Sequence, residues 1–102
     1  MRTFKNSSNA FNYSFDENVL PGSEFIVKMP PVSANKRGVN DIGFMADDGI
    51  TLYSTIAAKP DENTIWQQIQ PYDEINKTTS YIKVVNENTT DAQRVYIRVI
   101  MN

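Results

Sequence analysis

Ser80-Tyr81-Ile82-Lys83-Val84-Val85-Asn86 and Arg94-Val95-Tyr96-Ile97-Arg98-Val99-Ile100-Met101 alternate apolar and polar residues along almost their whole length. Period-two alternation of β-branched and aromatic residues is the pattern of half-buried strands. The stretch between them, residues 87–93, is polar apart from Ala92, so the pair predicts a closing β-hairpin.

Upstream the same grammar recurs. Asp41-Ile42-Gly43-Phe44-Met45-Ala46 and Ile50-Thr51-Leu52-Tyr53-Ser54-Thr55-Ile56 flank Asp47-Asp48-Gly49, and Asp-Gly between apolar-rich runs is a strong hairpin signal. Phe11, Tyr13 and Phe15 alternate with Asn12 and Ser14 as a short strand. Val19-Leu20-Pro21-Gly22-Ser23 places Pro and Gly in the order of a type II bend. Glu24 to Met29 is a further strand, cut off by Pro30-Pro31, which cannot continue a central ladder. Ser33 to Gly38 is a loop carrying the basic pair Lys36-Arg37. Thr64-Ile65-Trp66-Gln67-Gln68-Ile69 reads as a strand stopped at Pro71, with a helical turn behind Asp61 as the alternative.

Together these runs predict an all-β fold: one antiparallel β-sandwich or jelly-roll-like domain of about seven short strands. No strand–helix–strand unit or internal repeat is visible. Residues 1–10 are small and polar and predict a flexible or partner-docking N-terminal arm, leaving residues 11–102 as the sandwich domain. In the docking case Phe4 is the anchor and Arg2 and Lys5 the charge contacts.

Composition narrows the function. A chain of 102 residues supports one core but hardly a deep two-walled cleft. Its net charge of −2 gives no electrostatic case for nucleic acid or an anionic membrane as the partner. No apolar run is long enough to span a bilayer as a helix, and the first residues lack the apolar centre of a signal peptide. Cysteine and histidine are both absent, which removes disulfides, thiolate nucleophiles, Ser-His-Asp and Cys-His machinery and the usual transition-metal ligands. Asn-x-Ser/Thr patterns at Asn6, Asn12, Asn76 and Asn88 are expected by chance in an Asn- and Thr-rich chain. The acidic pairs Asp47-Asp48, Asp61-Glu62 and Asp73-Glu74 lack the spacing of a calcium loop and fit turn chemistry. The expectation is no catalytic residue, no cofactor and no metal.

What remains is a binding face. If the aliphatic sides of the last two strands pack inward, Tyr81, Lys83, Arg94, Tyr96 and Arg98 stand together on the outer side of one hairpin, with Val85 and Ile100 beside them. Aromatic rings interleaved with cations can clamp acidic groups of a protein or stack on sugars or bases; they also make solvated cross-strand pairs. Trp66, between the aliphatic Ile65 and Ile69, is expected at the core or its edge.

The Asn- and Thr-rich loops, the missing Cys and His, the short N-terminal arm and the terminal run Ile75-Asn76-Lys77-Thr78-Thr79-Ser80-Tyr81-Ile82-Lys83-Val84-Val85-Asn86, then Arg94-Val95-Tyr96-Ile97-Arg98-Val99, ending at Ile100-Met101-Asn102, resemble the small β-sandwich accessory proteins of tailed bacteriophages, of the capsid-decoration or tail-associated kind. The resemblance implies a non-enzymatic virion structural protein, made in the host cytoplasm, that binds and stabilises an assembled capsid or other particle part. It implies a major capsid or other virion protein as partner and a homo-oligomer, trimers being common among such proteins. Contacts would fall to Arg2, Phe4, Lys5, Tyr81, Lys83, Arg94, Tyr96 and Arg98. The alternative is a carbohydrate-binding or host-attachment module with a glycan as partner, which predicts exposed Trp66, Tyr72 or Tyr81.

Overall fold

The computed structural model describes residues 2–32, 35–70, 73 and 75–102. Within them the chain forms only strands: β1 (Arg2–Thr3), β2 (Lys5–Asn6), β3 (Asn12–Val19), β4 (Glu24–Lys28), β5 (Val39–Ala46), β6 (Ile50–Thr55), β7 (Gln67–Ile69), β8 (Tyr81–Asn86) and β9 (Gln93–Met101). The five-stranded sheet has the order β1-β4-β8-β6-β7 and the four-stranded sheet the order β2-β3-β9-β5. All pairs are antiparallel except β1 with β4. The all-β, two-sheet expectation holds. The expected strands correspond to β3–β9, and the two additional ones come from the N-terminal stretch.

Both expected hairpins are corrected. β8 pairs with β4 and β6 in one sheet, whereas β9 pairs with β3 and β5 in the other. β5 and β6 are divided between the sheets in the same way. The Asp47-Asp48-Gly49 turn itself exists, with Ile50 N–H donating to the Asp47 carbonyl at 3.3 Å and Gly49 at φ 95°. It bends the chain across the sandwich instead of back along one sheet. The physical reason is that alternation reports which side of a strand is buried and is silent about which neighbour it pairs with. A hairpin and an arch over two facing sheets bury the same residues.

The inward faces supply the core. Val95, Ile97 and Val99 of β9 face Ile82 and Val84 of β8, and all are fully buried. Phe15, Val19, Val27, Leu52 and Ile69 complete the layer. The Leu20–Ser23 bend forms as expected: Ser23 N–H donates to the Leu20 carbonyl at 3.1 Å and Gly22 takes φ 69°. Residues 64–66 carry no strand or helix, and only Gln67–Ile69 pairs, with β6.

Residues 2–6 lie along the body itself. Arg2 and Thr3 extend the five-stranded sheet beside Val27 and Lys28, then Lys5 and Asn6 extend the four-stranded sheet beside Ser14 and Tyr13. Phe4, at the crossing, packs on the core, its ring 6.2 Å from that of Phe15.

Candidate partner-binding faces

The division of the last two strands between sheets also divides the expected face. Arg94, Tyr96 and Arg98 project from the four-stranded sheet, and Lys83 from the outer side of the five-stranded one. Tyr81 is corrected further. It stands opposite Lys28 and Thr55 in mid-sheet and is only 8% exposed, so it offers no ring to a partner.

On the four-stranded sheet, Ser14 on β3 links Lys5 on one side to Arg98 on the other, and Gly43 follows beyond Arg98. The next row is Asp16, Tyr96 and Met45. Arg94 grips Asp16 with a two-pronged contact, Nε to Oδ1 at 2.9 Å and Nη2 to Oδ2 at 2.6 Å. The donated hydrogen bonds hold the Asp16 carboxyl below its ordinary value of 3.8 and raise the Arg94 guanidinium. Arg98 Nη2 reaches Asp41 Oδ2 at 3.1 Å, using the space left by the missing Cβ of Gly43. Two neutralised ion pairs thus flank Tyr96 and Met45, whose side chain is the most exposed methionine on this face at 73%. A shallow hollow of about 330 Å³ lies over Met45, Ala46, Asp47, Arg94 and Tyr96.

On the five-stranded sheet, Lys83 lies between Ile26 and Tyr53 in register. Its ammonium stands 5.0 Å from the Tyr53 ring and 5.0 Å from the Trp66 ring, within cation–π range of both. Trp66 is half-buried and Ile65 beside it is 88% exposed, so the tryptophan sits at the core edge and not inside it. Tyr53, which no sequence signal distinguished from the other strand tyrosines, becomes part of the cluster through strand pairing.

At the edge formed by β1, Arg2 bridges the sheets. Its Nε donates to both Glu17 oxygens at 3.0 and 2.8 Å, and its guanidinium covers the Phe25 ring at 3.8 Å. Arg2 and Phe4 are thereby engaged within the chain, while Lys5 is exposed on the same face as Arg98.

Chemistry-bearing groups do not converge. Among the described residues no three carboxylates stand close enough to hold a metal ion. Asp61 accepts from the Asn63 N–H, the turn role expected of it, whereas the Asp47 carboxylate accepts from the Arg94 N–H across the sheet. A polar hollow of about 680 Å³ between Gln67, Gln68, Asp73 and Lys77 has Asp73 as its one carboxylate among the described residues. Tyr72 and Glu74, named in the glycan and acidic-pair readings, lie outside the described residues. No protein-family model matches the chain, and no curated protein or solved structure similar to it was found.

Proposed function

We propose that this chain is a non-enzymatic structural domain of a phage particle, binding an assembled capsid or another particle part through the outer side of its four-stranded sheet. The observation that supports the reading is the Tyr96–Met45 strip bounded by Arg94–Asp16 and Arg98–Asp41. A half-buried aromatic beside an exposed methionine, framed by satisfied ion pairs, has the composition of an interface centre with a polar rim. Lys5 adds to that rim an exposed cation with no ion-pair partner among the described residues. Binding repeated sites on a lattice would favour the assembled particle over free subunits by mass action. The test is gradient co-sedimentation with particles from the source culture, counting copies by mass spectrometry. Many copies per particle support the reading, and a chain that stays at the top of the gradient overturns it.

A second reading rests on the Trp66–Lys83–Tyr53 cluster. Two partly accessible rings sharing an ammonium that has no carboxylate partner among the described residues suit an acidic sugar, with the ring faces stacking and the lysine meeting the carboxylate. Titration of Trp66 fluorescence with acidic and neutral polysaccharides tests it. A saturable change with acidic glycans that Lys83→Met abolishes supports this reading, and unchanged emission with both classes removes it.

A further inference from the structure

We propose that the open edge of β5 pairs with β5 of a second copy, antiparallel about a two-fold axis near Gly43, joining two four-stranded sheets into one.

The backbone makes the first part of the case. Asn102 N–H donates to the Gly38 carbonyl at 3.1 Å and Asp47 N–H to the Arg94 carbonyl at 2.9 Å, while Met101 N–H donates to Phe11 on the other side of β9. Even-numbered residues of β9 therefore bond toward β5, so Met45 and Gly43, opposite Tyr96 and Arg98, are the β5 positions that close bonds with it. Ile42, Phe44 and Ala46 turn their N–H and C=O groups the other way, where no described strand lies. Among the described residues the other three sheet edges are strands of two or three residues; this one has eight. It carries no Pro or Lys, its bulge between Val39 and Asp41 lies at the start of the strand and leaves Ile42 to Ala46 regular, and its one charge, Asp41, is neutralised by Arg98.

The margin beside that edge is also unfilled. A hollow of about 570 Å³ opens between the sheets here, with Phe44, Ala46, Ile50, Leu52 and Ile69 on its apolar side and Asp47 and Asp48 of the turn at its end. A strand added to β5 would cover apolar side chains that the chain's own sheets leave at the rim.

Charge selects the occupant. β5 is approached through exposed Arg37 and left through exposed Asp48, and neither has an ion-pair partner among the described residues. Antiparallel pairing of two copies sets each basic end beside the other's acidic end, twice per dimer. With Gly43 on the axis, Ile42 faces Phe44 of the second copy. A register centred on Phe44 would carry Arg37 two residues further from Asp48 of the second copy and lose that complementarity.

This inference is independent of the particle reading. Its test is sedimentation equilibrium of the full chain with circular dichroism as a fold control. A dimer at micromolar concentration is expected. Ala46→Pro removes one edge N–H and no bond to β9, and should give a folded monomer. Arg37→Glu and Asp48→Lys alter two symmetry-related contacts each, so either alone should weaken the dimer about tenfold. Combined in one chain, they should restore it. A wild-type monomer at all concentrations, a dimer indifferent to Ala46→Pro, or reversals whose combination is no better than either alone would overturn the proposal.

Discussion

The Asn86 side-chain amide donates to the Val19 carbonyl at 3.1 Å, joining the end of β8 in one sheet to the end of β3 in the other. The same nitrogen reaches the carbonyls of Leu20 at 3.3 Å and Asp91 at 3.0 Å, and the amide oxygen accepts from Asn88 N–H at 2.9 Å. Asn86 is 1% exposed, so these partners replace the water it gave up. One buried amide thus fastens the β3–β4 bend, the β8–β9 arch and the sandwich end together.

Substitution of Asn86 should therefore cost more than a surface polar change. Asn86→Ala leaves carbonyls without their donor and is expected to destabilise by about 1–3 kcal/mol. Asn86→Asp should be worse, because a carboxylate turned toward three carbonyl oxygens repels them and must be buried charged or protonated. Urea melts of both variants check the order. Equal stability of wild type and Asn86→Asp would show that the amide hydrogens are not what holds this end.

Two glycines should respond oppositely to the same added methyl. Gly49 has φ 95°, and a Cβ there would stand 3.2 Å from Asn88 Cβ, so Gly49→Ala should destabilise by at least about 1 kcal/mol. A Cβ on Gly43 would meet Arg98 Nη2 at 3.1 Å, but that is the tip of a flexible, half-exposed side chain. Gly43→Ala should fall within about 0.5 kcal/mol of wild type, since the loss of an exposed ion pair offsets the smaller unfolded-state entropy of alanine. Paired thermal melts separate the two.

Much of this architecture is legible along the chain because burial follows alternation. Val95, Ile97, Val99 and Met101 are the buried side of β9, as the period-two pattern predicts, and Leu20-Pro21-Gly22-Ser23 bends as its residues require. Pairing is not legible in the same way. Asp47-Asp48-Gly49 marks a reversal, but whether the next strand returns beside β5 or on the facing sheet depends on β9 and β8, which lie some forty residues further on. The expected grouping of these side chains on one face divides for that reason, and Tyr81 in addition lies buried in mid-sheet. Tyr81 and Lys83 were correctly placed on the same side of their strand as each other, but the sheet they joined was a different one from that of Arg94, Tyr96 and Arg98. Tyr53 entered the Lys83 cluster, and Met45 the Tyr96 strip, only through register.

The N-terminal segment should contribute to the stability of the isolated protein. Phe4 packs against Phe15, and Arg2 ties Glu17 to the Phe25 ring, so residues 2–6 close one margin of the sandwich. Phe4→Ala should cost about 1–3 kcal/mol, at the lower side of aromatic truncations because the ring is only partly buried. It should also speed amide exchange in β1 and β2 before the rest of the sheets. A Phe4→Ala protein with unchanged stability and exchange would return residues 1–10 to the status of an arm whose contacts are made with another molecule.

The Asp16–Arg94 pair gives stability a defined dependence on pH. The guanidinium's hydrogen bonds lower the Asp16 pKa in the folded chain below 3.8, the value it regains on unfolding. A depressed carboxyl binds fewer protons folded than unfolded, so its contribution is complete above the unfolded value and is lost as pH falls through the folded one. Arg94, raised from an already high value, stays charged throughout this range. The difference in melting temperature between wild type and Asp16→Asn should hence be constant near neutral pH and shrink only below about pH 4. Both groups are solvent-exposed, so added salt should shrink the same difference at neutral pH. A difference that persists unchanged at pH 2, or that salt leaves untouched, would assign the effect of Asp16 to packing on the sheet and not to its bond with Arg94.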